Sequence, residues 1–123
     1  MVKAEVIELL NKYISLLNSN GIAVYKAFLF GSYSTDTANE ASDIDVMLVS
    51  ENNDECDDEV IGKIWRLTRM VSTKIEPLII GKSRYDSDDN SPLIEQIKTQ
   101  GIELTLKSLH QLASEPKTEY KTK

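Results

Sequence analysis

The sequence predicts an α/β fold of the α+β kind, with one mixed β-sheet of three to four strands flanked by helices. Three observations predict it. Apolar residues recur at three- and four-residue spacing over two long stretches, as on amphipathic helices. Short β-rich runs alternate with those stretches. The resulting order of helix, strand, strand, helix, strand, helix fits a single sheet covered by helices. The 123 residues have the length of one domain, and 41% of them are hydrophobic, enough for a packed core. The domain is expected over residues 1–110, with a polar tail over 111–123 that is expected to be disordered.

The elements follow in order. Val6, Leu9, Leu10, Tyr13, Ile14 and Leu17 share a helix face, predicting a helix over about 2–17 that closes at Asn18-Ser19-Asn20-Gly21. Ile22 to Phe30 is β-rich and ends at Gly31, which reads as a strand. Residues 32–42 are polar and mostly loop, with room for a short helix after Gly31. Asp43 to Val49 alternates and then runs apolar, as an inner strand does. An acidic loop over 50–58 leads into a second helix over about 57–72, marked by Val60, Ile61, Ile64, Leu67 and Val71. Lys74 to Ile80 is a third strand, and Pro77 argues for an edge position. A turn over 87–90 precedes Ser91-Pro92, where Pro at the first helical position opens a helix to about Thr99, stopped by Gly101. Ile102 to Leu106 is a candidate last strand.

Composition excludes several function classes. The net charge is -6, which disfavours non-specific binding to DNA or RNA, where basic residues meet phosphates. No run reaches the roughly 18 to 20 apolar residues of a membrane span. No N-terminal stretch resembles a signal peptide, and the single Cys56 cannot form an intramolecular disulfide, so a cytoplasmic location is expected.

The stretch from Leu29 to Ser50, LFGSYSTDTANEASDIDVMLVS, carries the chemistry. Asp43 and Asp45 lie two apart on a predicted strand, so both side chains point to one face, their roots about 6.6 Å apart. Two bare carboxylates about 6 Å apart repel by roughly 3 kcal/mol at an effective dielectric of about 20. A divalent cation reverses the sign of that interaction, and hard oxygen ligands favour Mg2+ or Mn2+. Gly31-Ser32 follows a strand at a turn or helix start, where backbone N–H groups and a hydroxyl can bind phosphate. Taken singly, Gly-Ser is more often a plain turn, and Asp-x-Asp a solvated strand end. Their fixed combination is the stronger signal. Two rival motifs fail. Gly81-Lys82-Ser83 lacks the upstream Gly of a P-loop, since Glu76 stands there. Asp43-x-Asp45 lacks the oxygen ligand and Gly of a calcium loop, since Met47 and Leu48 take those positions.

Gly31-Ser32, ten residues, then Asp43-Ile44-Asp45 resembles the signature of the DNA polymerase β-like nucleotidyltransferase superfamily. The wider match, FGSYSTDTANEASDIDVMLVS, is similar to its minimal nucleotidyltransferase (MNT) branch. The resemblance implies that Gly31 and Ser32 hold nucleotide phosphates and that Asp43 and Asp45 ligate divalent metal. It also implies a third carboxylate on a later strand, usually Asp, whose matching position here is Glu76, as catalytic base and metal ligand. The implied activity is metal-dependent transfer of a nucleoside monophosphate, AMP from ATP or another NTP, to an acceptor hydroxyl. MNT proteins are often paired with a helical HEPN protein as antitoxin and toxin, so the acceptor could be a Tyr of such a partner. A non-catalytic antitoxin that neutralises its partner by occlusion is the alternative, kept open by Glu in place of Asp.

Further candidates are thinner. Lys63, Arg66 and Arg69 share a broad helix face that is solvated or meets phosphates or an acidic partner. Lys82 and Arg84 could approach a triphosphate, and Tyr33 or Trp65 could stack a base. His110, the only His, is given no catalytic role.

Overall fold

The computed structural model describes residues 2–39, 41–51, 58–87 and 91–104. Cys56, His110, the 111–123 tail and parts of the acidic loop, the 87–90 turn and the 102–106 strand lie outside the described residues.

Helix α1, Lys3–Ser19, buries Val6, Leu10, Tyr13, Ile14 and Leu17, the face its spacing predicts. The backbone N–H of Val2 donates to Glu5 Oε1 at 3.0 Å, satisfying one donor at the helix start. The chain leaves α1 through Gly21, whose φ of +85° lets Ile22 N–H return to the Leu17 carbonyl. Lys63 adds a cap from a distance, its Nζ donating to the Asn20 carbonyl at 2.7 Å. Strand β1, Val24–Phe30, follows, and then a single 3-10 turn, Gly31–Tyr33.

Strand β2, Ile44–Ser50, is joined through helix α2, Asp58–Thr68, to strand β3, Ile75–Gly81. The connection is a βαβ crossover, so β2 and β3 run parallel, while β1 pairs antiparallel with β2. The sheet order is β3-β2-β1-β4, with the two-residue β4, Ile102–Glu103, antiparallel to β1. Pro77 therefore stands on an edge strand, where its missing N–H costs no ladder bond. Helix α2 ends at Thr68 rather than Ser72, because the chain tightens into i→i+3 turns: Met70 N–H bonds Leu67 O and Val71 N–H bonds Thr68 O. A short helix α3, Lys82–Asp86, follows β3, where the sequence reading assigned no element. Helix α4, Pro92–Gln100, is capped by Ser91, whose Oγ accepts from Ile94 N–H at 3.3 Å.

The core has two layers, one on each face of the sheet. Ile44, Val46 and Leu48 of β2 pack with α1 and α2 residues such as Tyr13, Leu17 and Ile64. Met47 and Val49 pack on the opposite face with Phe28, Ile80, Ile94 and Ile97. Strand β2 is thus buried on both sides, as its near-continuous apolar run predicts. The Tyr13 hydroxyl donates to the Ile64 carbonyl at 2.7 Å, tying α1 to α2, and burial pushes its pKa up.

Candidate active site

One end of the sheet gathers the polar residues singled out in the sequence. Phe30, Asp45 and Glu76 are register partners across three adjacent strands, so Asp45 and Glu76 lie about 4.8 Å apart at the backbone. The Ile44 N–H to Lys74 carbonyl bond, 2.8 Å, starts that pairing. By the two-residue alternation, Asp45 shares the face of Met47 and Val49, and Glu76 that of Leu78 and Ile80. Ile44 and Ile75 point the other way into the core. Asp43 lies just before β2, with its carboxyl close enough to Glu76 to push the Glu76 pKa up.

Gly31 closes the site from β1. Its φ is +75°, and a Cβ there would land inside the Asp45 carboxylate. Glycine is required twice over, by the backbone and by the neighbour. The following turn is stitched to itself: Ser34 Oγ donates to the Gly31 carbonyl at 2.9 Å, and Thr37 N–H to the Ser32 carbonyl at 3.0 Å. The structure therefore brings Gly31, Asp43, Asp45 and Glu76 together, with Ser32 on the adjoining wall.

That wall belongs to a cavity of about 360 Å³ between the Gly31–Thr37 turn and α4. Thr35, Thr37, Gln96 and Gln100 line it with hydroxyls and amides, and among the described residues no charged side chain enters. Leu93, 48% exposed, forms part of its apolar side. Gln96 and Gln100 escaped the sequence reading. Only their four-residue spacing on α4 hints that they share a face, and nothing local tells that the face meets Gly31-Ser32.

The electrostatics follow from crowding. Burial, and then the Asp43 charge, push the Asp45 carboxyl above the usual range. The Asp43 hydrogen bond and charge, with smaller effects from burial and Asp45, push Glu76 up. Among the described residues no three acid, His or Cys side chains form a ready metal cage. The donor set still suits a hard divalent cation, since three carboxylates that repel or share protons gain from one between them.

These shifts predict a pH dependence. Both raised carboxyls bind protons more tightly in the folded protein than in the unfolded chain. Their stabilisation is full below the unfolded carboxylate range, about pH 4 to 4.5, and is lost as pH rises through the raised folded values. The metal-free protein should therefore gain melting temperature as pH falls from neutral toward that range, relative to Asp45→Asn measured alongside. Parallel melting curves for the two proteins across those pH values would contradict the assignment.

Several other candidates are placed elsewhere. Tyr33 is buried in the α1 core, and its hydroxyl lacks a hydrogen-bond partner among the described residues, so it cannot stack a base. Lys82 and Arg84 lie beyond the opposite end of β3, five strand steps or roughly 17 Å past Glu76, so they do not reach a triphosphate at the carboxylates. Lys82 instead sits 4.5 Å over the Tyr25 ring. Trp65 is 44% exposed, at the rim of α2.

The chain matches the family model of the nucleotidyltransferase domain over residues 8–112. Among solved structures it resembles a toxin–antitoxin complex crystallised with AMP-PNP, at 26% identity and a TM-score of 0.54, over 84% of this chain and 79% of that one. It also resembles a mutant MntA–HpeT toxin–antitoxin structure carrying two Asp-to-Glu changes, at 24% identity and a TM-score of 0.52, over the same shares of 84% and 79%. The fold recurs in a Sulfolobus solfataricus protein with a provisional nucleotidyltransferase assignment, at 15% identity and a TM-score of 0.53, over 68% of this chain and 74% of that one. No curated protein matches the chain.

Proposed function

The chain belongs to the nucleotidyltransferase domain family, and we propose that it moves AMP from ATP to a hydroxyl of a partner protein in the cytoplasm. The observation that carries this reading is the meeting of Gly31, Asp43, Asp45 and Glu76 at one sheet end, beside a cavity walled by Ser32. In this reading Gly31 and Ser32 hold the phosphates, since glycine lets the backbone approach closely. The amide- and hydroxyl-lined cavity beside them receives the rest of the nucleotide. Among the described residues its lining carries no charge, which suits a ribose and base better than a second phosphate group.

Asp43, Asp45 and Glu76 would hold Mg2+ or Mn2+, which when bound stabilises the attacking oxygen and the leaving pyrophosphate. Glu76 has the further task of accepting the acceptor hydroxyl's proton. A carboxylate one strand over from Asp45 is placed to accept that proton. The resemblance to a toxin–antitoxin structure obtained with AMP-PNP supports an adenine nucleotide as donor and a protein as partner. The two substituted Asp of the mutant complex stand two positions apart, the spacing of Asp43 and Asp45. A helical HEPN-type toxin presenting a Tyr hydroxyl is the acceptor this reading favours.

Two measurements test it. In calorimetric titrations Mg2+ should bind weakly alone and much more tightly with ATP present, because Mg2+ keeps its water and prefers sites that include substrate phosphates. Tight Mg2+ binding that ATP leaves unchanged would contradict the site. Glu76→Gln, which keeps size and removes charge, should cut transfer by about a hundredfold or more, with a much smaller change in nucleotide affinity. Full transfer activity in that variant would remove Glu76 from the mechanism.

A further inference from the structure

A second cavity, of about 350 Å³, opens where α2 ends and β3 begins. Trp65, Arg66, Arg69 and Thr73 line it, and Ile75 forms part of its floor. Ile75 immediately precedes Glu76, so the cavity flanks the carboxylate end of the sheet at β3, the edge strand among the described residues. Among the described residues neither the Arg66 nor the Arg69 guanidinium has an ion-pair or hydrogen-bond partner. Trp65 is 44% exposed, and Met70, in the turn just beyond, is 71% exposed.

The helix dipole favours a basic residue in the last turn of α2, but that small surface effect explains neither the cavity nor the exposed Trp65 and Met70. Trp, Arg and Met are the residue types enriched where proteins meet, and Trp and Arg dominate the energetics there. The chain as a whole carries a net charge of -6, yet among the described residues no carboxylate lines this cavity. Two arginines are too few to track a nucleic-acid backbone, whose binding draws on many phosphate contacts. They are enough to grip the carboxylates of a short peptide segment.

We propose that this cavity is the docking site for an acidic segment of the protein that receives the nucleotide. Arg66 and Arg69 engage its carboxylates, Trp65 and Met70 supply the apolar contact, and the docked partner lies over the edge strand next to Glu76. The inference rests on the reading that the acceptor is a protein.

Trp65 is the single tryptophan of the chain, so its emission reports this cavity directly. The probe is a synthetic peptide of Glu and Asp with one central Tyr. A Gln/Asn version and an oligothymidylate of equal charge serve as comparisons. The acidic peptide should shift or quench Trp65 emission saturably, and the neutral version should not. Arg66→Ser and Arg69→Ser should each weaken binding about tenfold or more, the scale of a lost charged hydrogen bond, with circular dichroism unchanged. ATP binding, followed by calorimetry, should be the same in both variants and wild type, so failure of nucleotide binding is read separately from failure of docking. No saturable emission change with the acidic peptide, or an equal change in the arginine variants, overturns the proposal. Tighter binding of the oligothymidylate than of the peptide overturns it too, and assigns the cavity to nucleic acid.

Discussion

Asp45→Asn is expected to lower nucleotidyl transfer by more than about a hundredfold while leaving the metal-free protein as stable as wild type or slightly more so. Losing an outer partner of a metal ligand already costs about 10- to 100-fold in affinity or activity, and Asp45 would be a ligand itself. Stability should not suffer, because the carboxylate is an electrostatic burden in the empty site. It is partly buried, it faces the Asp43 charge, and its pKa is held up for both reasons. Asparagine keeps the shape that fills the space against Gly31 and gives up the charge. Asp43→Asn should behave alike in transfer. Thermal melts without metal, read by circular dichroism beside the transfer assay, check both. A large loss of stability in the two variants together would make the carboxylates structural supports.

Gly31→Ala should damage fold and activity together. An L-residue at φ +75° costs about 1 to 2 kcal/mol in backbone energy alone. The added Cβ must also displace the Asp45 carboxylate, so transfer should fall steeply even in the fraction that folds. Gly21→Ala is the matched control. Its φ is +85°, but a Cβ there meets nothing within 4 Å. Both variants should lose about 1 to 2 kcal/mol in urea denaturation from the shared backbone effect, with Gly31→Ala losing more. Only Gly31→Ala should lose transfer. Equal transfer in the two variants would mean that Gly31 serves the turn and not the site.

Much of this arrangement was legible in the sequence, because it rests on local periodicity. The two-residue alternation places Asp45 on one face of β2 and Ile44 on the other before any packing is considered, and the same alternation separates Glu76 from Ile75. Gly31 was legible as the end of its strand, while its φ of +75° and its closeness to Asp45 were not. Pro77 marked the edge strand by the hydrogen bond it cannot make. What the sequence hid depends on packing between distant segments. Five residues, Lys82–Asp86, are too few to display a helical period, and α3 forms against Tyr25 and Phe28 through Tyr85. Lys63 looked like part of a basic face, yet it spends its charge on the end of α1 43 residues upstream. Tyr33 sits in a polar stretch that gives no sign of burial, and it enters the α1 core only because the Gly31 turn aims it there. Gln96 and Gln100 become neighbours of Ser32 only when Ile94 and Ile97 dock α4 on the sheet. Helix α2 stopped a turn early, at Thr68, where the Thr hydroxyl bonds back to the Trp65 carbonyl at 2.7 Å and i→i+3 bonds take over.

The central claim is that the carboxylates and the Gly31–Ser32 turn form one site that transfers a nucleoside monophosphate. Its most direct measurement uses ATP labelled either at the α- or at the γ-phosphorus, incubated with Mg2+, this protein and a co-expressed helical partner. The account predicts that the α-label passes to the partner, that the γ-label is released in pyrophosphate, and that Asp43→Asn and Asp45→Asn abolish the labelling. Covalent labelling from the γ-phosphorus, or α-labelling that survives in both Asp variants, would contradict it.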